Sequence, residues 1–212
     1  ASRRFPSYLA PAMTQLPELP LTLSRQEIRK MIRQRRRTLT PEQQQEMGQQ
    51  AATRMMTYPP VVMAHTVAVF LSFDGELDTQ PLIEQLWRAG KRVYLPVLHP
   101  FSAGNLLFLN YHPQSELVMN RLKIHEPKLD VRDVLPLSRL DVLITPLVAF
   151  DEYGQRLGMG GGFYDRTLQN WQHYKMQPVG YAHDCQLVEK LTVEKWDIPL
   201  PAVVTPSKVW EW

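Results

Sequence analysis

The sequence predicts an α/β protein: a single three-layer domain whose mostly parallel sheet is covered by helices on both faces. Three observations carry that expectation. Short apolar runs rich in valine, isoleucine and leucine recur along the chain, separated by segments of helical periodicity, which is the alternation of α/β folds. The strongest runs, TVAVFLSF (66–73) and DVLITPLVAF (141–150), are apolar almost throughout, as strands covered on both faces are. At 212 residues, 44% hydrophobic and 21% charged, the chain can bury a sizeable core without staples.

The elements follow in order. Residues 1–12, ASRRFPSYLAPA, hold two arginines and two prolines but no sustained apolar stretch, so they do not make a secretory signal. They are expected to be a non-native extension ahead of a natural start at Met13, with 13–212 forming the domain. Residues 24–37 read as a helix, because Ser24 and Glu27 have capping-box spacing and Ile28, Met31 and Ile32 form a narrow apolar stripe. A second helix opens at Thr40-Pro41 and runs to about residue 58. The strand 66–73 and a helix over 79–89, stopped by Gly90, come next. Two strands, 92–98 and 105–111, flank a Pro- and Gly-containing loop. After a polar segment come the strand 141–150, a glycine-rich loop, a helix over 163–173, a strand over 178–183, a helix over 186–196 and a short strand AVVT. KIHEP, with Glu126, reads as a loop. There is no internal repeat.

Charge and cysteine content narrow the function. The net charge is +3, yet residues 24–37 carry seven basic residues against one acid, so the rest of the chain sums to −3. Arg25, Arg29, Arg33 and Arg36 or Arg37 recur at i, i+4 down one side of that helix. On charge pattern alone, this face suits solvent, nucleic acid or a nucleotide phosphate. The lone Cys185 excludes an intrachain disulfide and a multi-cysteine metal site, fits a reducing compartment, and reads as a small buried residue. No apolar run reaches the length of a membrane span, and the six histidines lack zinc-ligand spacing. The protein is expected in the cytoplasm, off the membrane, as a monomer.

The stretch RLGMGGGFYDR (156–166) places four glycines in five positions between the most apolar strand and a helix start. Unpaired N–H groups at that junction favour anions, so the loop reads as a phosphate cradle, with a purely structural turn as the alternative. No Lys-Ser/Thr follows, which excludes a Walker loop, and the Rossmann fingerprint is not matched. Glu76, in FDGELDT after the first strand, falls where a pocket would open, although a surface turn would look the same. Asp197, in KWDIPLP, reads equally as a turn acid.

These segments together resemble the 5-formyltetrahydrofolate cyclo-ligase (5,10-methenyltetrahydrofolate synthetase) family, from about residue 24 to residue 205. PLVAFDEYGQRLGMGGGFYDR is the most specific part, being similar to P-x-x-A-F-D-x-x-G-x-R-L-G-x-G-x-G-Y-Y-D. Arg25-x-x-x-Arg29, GELDT, IHEP and WDIPLP match further family segments in the right order. The resemblance implies an ATP-dependent closure of 5-formyltetrahydrofolate to 5,10-methenyltetrahydrofolate through a phosphorylated formyl (imidate) intermediate. It implies that ATP is held by Arg25, Arg29, Arg156 and the backbone of Leu157, Gly158, Met159, Gly160, Gly161, Gly162, Phe163 and Tyr164. It places folate against Leu71, Glu76 and residues 159–163, magnesium on Asp165 and Asp197, and Glu76, Arg156 and Tyr164 at the reacting groups. The chain departs at Arg25, where lysine is frequent, at Phe163 in place of the first tyrosine, and at Gly161, where many members place a lysine that Arg166 could replace. The alternatives are a nucleic-acid-binding module using the basic helix, which lacks interleaved aromatic residues, and an ATP-dependent ligase acting on another pterin or amide.

Overall fold

The computed structural model describes residues 23–212; the expected extension 1–12 and the start at Met13 lie outside the described residues. Helix α1 (Arg25–Arg37) begins with the expected capping box: the Ser24 hydroxyl accepts from the Glu27 N–H, and the Glu27 carboxylate accepts from the Ser24 N–H. Helix α2 (Pro41–Thr57) uses the same device through Thr40 and Gln43, with proline at its first position. Next come α3 (Pro59–Met63), β1 (Thr66–Ala68), α4 (Gln80–Arg88), β2 (Arg92–Leu98), β3 (Leu106–Tyr111), β4 (Leu117–Met119) and β5 (His125–Pro127). The chain continues through β6 (Val142–Thr145), β7 (Ala149–Asp151), β8 (Arg156–Leu157), α5 (Phe163–Leu168), β9 (Gln177–Tyr181), β10 (Leu187–Val188), β11 (Ala202–Val204) and β12 (Val209–Glu211).

The main sheet has the order β12-β11-β9-β6-β1-β2-β3. Its five central strands are parallel, and β3 and β12 pair antiparallel at the edges. The chain starts at β1, adds β2 and β3 on one side, then returns to add β6, β9 and β11 on the other. The order therefore reverses between β1 and β6, and in open α/β sheets ligands bind beyond the carboxyl ends of the strands at such a point.

One face of the sheet packs Val67, Ile144 and Val179 against Met55, Leu82 and Leu86 of α2 and α4. The other buries Leu143 and Val203 with Phe150, Leu168 and Leu187, beneath α5 and the small β10-β7-β8 sheet. Helix α1 lies on that small sheet, with Ile28 and Ile32 against Val148, Ala149, Leu157 and Val188. Among the described residues no helix is long and apolar enough to cross a membrane.

Several expected elements differ. The run 141–150 splits into β6 and β7 at Pro146, which has no N–H for a ladder; the Gln186 amide donates to the freed Leu147 and Val148 carbonyls. The expected helix 186–196 is absent. A 3₁₀ turn (Asp184–Gln186) leads into β10, which pairs with β7, while the Leu191 N–H donates to the buried Asp151 carboxylate. Apolar spacing that suits a helix here serves tertiary pairing. The expected helix 163–173 stops at Leu168, because Asn170 turns left-handed (φ 62°) before a 3₁₀ turn (Trp171–His173). KIHEP is not a loop, since β5 pairs antiparallel with β4, and β12 is an additional edge strand.

Candidate active site

At the reversal point of the sheet, the chain leaves the β1 side through residues 69–76 and the β6 side through Pro146, Leu147 and the glycine-rich loop. Between them lies a cavity of about 590 Å3. One end is cationic and rich in backbone, formed by Arg25, Arg29, Arg156 and residues 158–165; the other is apolar, formed by Leu71, Leu95, Leu98, Leu106 and Ile124.

The glycine loop is held from both sides. The Arg29 Nε donates to the Gly158 carbonyl (2.7 Å), and the Arg166 guanidinium donates to the Gly161 (2.8 Å) and Gly104 (3.0 Å) carbonyls. A positive group thus stands beside Gly161, where the family resemblance lacked its lysine. Gly160 (φ 109°) and Gly162 (φ 72°) occupy left-handed backbone, and a β-carbon at Gly160 would lie 3.7 Å from the Arg29 guanidinium. Arg156 is buried on β8; its Nε donates to the Pro146 carbonyl (2.8 Å), it faces Asp165 at 3.6 Å, and its guanidinium carbon lies 5.6 Å from the Tyr164 ring centre. Burial lowers the Arg156 pKa and raises that of Tyr164, whose hydroxyl is buried without a hydrogen-bond partner.

Glu76 sits on a tight turn in which Asp74 (φ 51°) and Gly75 (φ 76°) are both left-handed. Its carboxylate accepts the Phe73 N–H (3.0 Å). Arg33, Arg36 and Arg37 of α1 reach Asp74 at 3.6–3.7 Å, and the buried His183 imidazole meets the Gly75 carbonyl through Nε2 (3.1 Å). Burial pushes the Glu76 carboxyl up to about 7, against the pull of the Phe73 N–H and Arg36.

Asp197 is engaged. Arg25 holds it in a two-pronged pair (2.8 and 3.1 Å), and its Oδ2 also accepts the Glu194 N–H (2.8 Å). Asp165 Oδ1, by contrast, is buried and accepts no hydrogen bond. Burial also pushes the Cys185 thiol up to about 11, in keeping with an inert buried residue.

The structure therefore brings Arg25, Arg29, Leu71, Glu76, Arg156, Gly158, Met159, Gly160, Gly161, Gly162, Phe163, Tyr164 and Asp165 to one cavity. Leu157 is not on its wall, because the alternation of β8 turns the side chain into the α1 core. Asp197 reaches the site through Arg25. The arginine side of α1 faces the protein: Arg29 and Arg36 are buried, and Arg25 and Arg33 are partly covered. Sequence reasoning named Leu71 of the apolar end but not Leu95, Leu98, Leu106 or Ile124, and it gave Glu126 no role, IHEP being the only signal.

An arginine-lined, glycine-rich cradle sharing one cavity with an apolar recess, at the reversal of a mostly parallel sheet, has the form of an α/β enzyme site. Residues 22–206 match the sequence model of the 5-formyltetrahydrofolate cyclo-ligase family, and the chain belongs to that family; it is an enzyme of the ligase class. It is 98% identical over 182 residues to the 5-formyltetrahydrofolate cyclo-ligase of Escherichia coli K12, covering 86% of this chain and 100% of that protein. It is 52% identical over 179 residues to the Haemophilus influenzae cyclo-ligase, covering 84% of this chain and 96% of that protein. Among solved structures, Aquifex aeolicus 5,10-methenyltetrahydrofolate synthetase superposes with a TM-score of 0.76 at 28% identity, covering 89% of this chain and 93% of that one.

Proposed function

We propose that the enzyme closes 5-formyltetrahydrofolate to 5,10-methenyltetrahydrofolate in the cytoplasm with conversion of ATP to ADP and phosphate. The observation that carries this reading is the shared cavity, in which a phosphate-suited cradle and a carboxyl poised near neutrality meet an apolar recess. A formamide oxygen leaves poorly, so it must first become a better leaving group. The formyl oxygen attacks the γ-phosphorus and ADP departs; the folate N10 then attacks the imidate carbon, loses its proton, and phosphate leaves. Arg25, Arg29, Arg156 and the loop N–H groups would hold and neutralise the triphosphate. Arg156 and Tyr164 would stand at the transferred group, while Leu71, Glu76 and residues 159–163 would face the folate. Glu76, with its carboxyl at about 7, suits the role of proton acceptor from N10.

The residues fit magnesium in part. Asp165 offers a buried oxygen free of hydrogen bonds, and Mg2+ is ordinarily bound by one or two carboxylates together with substrate phosphates. Asp197 offers a ligand once Arg25 turns from it to phosphate. Magnesium bound there would neutralise phosphate charge as it develops.

The geometry disfavours nucleic acid as the ligand of α1, because its arginines are occupied by Asp74, Asp197, Gly158 and the Cys185 carbonyl. The test is the ATP-dependent appearance of the methenyl chromophore from 5-formyltetrahydrofolate, with ADP measured in parallel. ADP formation without the chromophore would transfer the reading to another amide or pterin. Formation of neither the chromophore nor ADP would overturn the reading.

A further inference from the structure

The β4–β5 hairpin carries a carboxylate that the reaction as written leaves unused. Glu126 lines the apolar end of the cavity. Its Oε2 accepts the Leu98 N–H of β2 (3.1 Å) and the Asn120 side-chain amide (3.0 Å). Asn120 is itself fixed, since its Oδ1 accepts the Leu122 (2.8 Å) and Ile124 (3.2 Å) N–H groups. Two neutral donors, one from the sheet and one from the hairpin, therefore set the side chain in place through one oxygen.

Oε1 has no hydrogen-bond donor among the described residues, and Glu126 forms no ion pair with them. Its neighbours on the cavity wall include Leu98, Leu122 and Ile124. A fixed carboxylate oxygen with no counter-charge and no donor of its own favours a ligand that brings an N–H donor to it, and it penalises a ligand of the same shape that lacks one.

We infer that Glu126 is a specificity-determining residue, whose Oε1 accepts an N–H of the 2-amino group on the 2-amino-4-oxopyrimidine ring of the reduced folate. The inference rests on the folate reading proposed above. The 2-amino group only donates, and one such donor suits the single oxygen that Leu98 and Asn120 leave open. Asn120 acts through Glu126 as a positioning residue.

The test is equilibrium titration of 5-formyltetrahydrofolate and of its 2-desamino analogue into the wild type and Glu126→Gln. Glutamine keeps a carbonyl for the Leu98 and Asn120 donors but turns an amide N–H₂ to the ligand. The wild type is expected to prefer the natural folate by about tenfold or more; the variant should bind it about 10- to 100-fold more weakly while binding the analogue within about twofold, so that the preference disappears. ATP affinity should not change. Selectivity is a ratio taken on the folded fraction, so partial unfolding of the variant does not imitate the result. Equal weakening of both ligands, unchanged selectivity, or a loss confined to ATP would overturn the role of Glu126 and leave the folate reading standing. Failure of the wild type to bind 5-formyltetrahydrofolate would overturn both.

Discussion

Glu76 and His183 meet at one turn and titrate in opposite senses. Glu76 is raised in the fold to about 7 from its ordinary 4.5, chiefly by burial, so the folded state binds the extra proton between those values and stability falls as pH rises through that window. His183 is lowered to about 4 from 6.5, again chiefly by burial, so the unfolded state binds the extra proton and stability falls as pH drops from 6.5 to 4. Between about 4.5 and 6.5 the two slopes oppose each other. Glu76→Gln removes one of them. The variant should melt above the wild type at pH 8, lose that advantage by pH 4.5, and show a steeper acid decline between, while turnover falls about 10²-fold or more. A melting difference independent of pH would show that Glu76 is not perturbed. Asp165→Asn should leave the melting temperature nearly unchanged and remove most magnesium-dependent turnover; unchanged turnover with unchanged magnesium dependence would take Asp165 out of the metal site. The position of Glu76 after the first strand was legible in the sequence. Its proton affinity was not, because it depends on burial and on Arg36, a residue 40 positions away that the fold brings beside it.

At the scale of elements, α1 ties the glycine loop to the turn that carries Glu76. Its first turns carry Arg25 to Asp197 and Arg29 to Gly158, and its last turns carry Arg33, Arg36 and Arg37 to Asp74 beside Glu76. The helix was legible from its capping box and its i, i+4 arginines. Which way the arginines face was not, because a polar stripe looks the same whether it meets water or buried carboxylates and carbonyls. The false helix over 186–196 failed for a related reason: Leu187, Val188 and Leu191 have helical spacing, but β7 and Asp151 satisfy their backbone instead. For α1 the expectation is specific. Arg29→Ala removes the charge proposed to meet phosphate and the hydrogen bond that steadies Gly158, so the ATP concentration for half-maximal rate should rise about tenfold or more, with that for folate changing less than about twofold. Equal losses for both substrates in steady-state rates would instead make Arg29 a support of the whole cavity.

At the scale of the molecule, the site is assembled from distant parts of the chain: α1, the turn after β1, the β4–β5 hairpin, and the segment from β8 into α5. The order of those parts was legible, since an apolar strand followed by glycines and a carboxylate marks a strand-to-helix junction. The reversal of strand order between β1 and β6 was not, because pairing partners 75 or so residues apart leave no local trace; only the register Val67↔Val142 and Ala68↔Leu143 fixes it. The cores on the two faces share the same strands, with Val67 on one side and Ala68 on the other, so neither face can open without exposing the other. The chain from 23 to 212 should therefore unfold in a single cooperative transition, and a ligand that bridges its parts should raise the whole of it. With ATP and magnesium at about 100 times the dissociation constant, linkage adds about 2.7 kcal/mol, which for a chain of this size is a rise of about 5–10 °C in melting temperature. Calorimetry with and without ATP-magnesium checks this directly. Two transitions, with only one moving on addition of nucleotide, would show that the cavity belongs to a separately folding unit and that the single-domain reading is wrong.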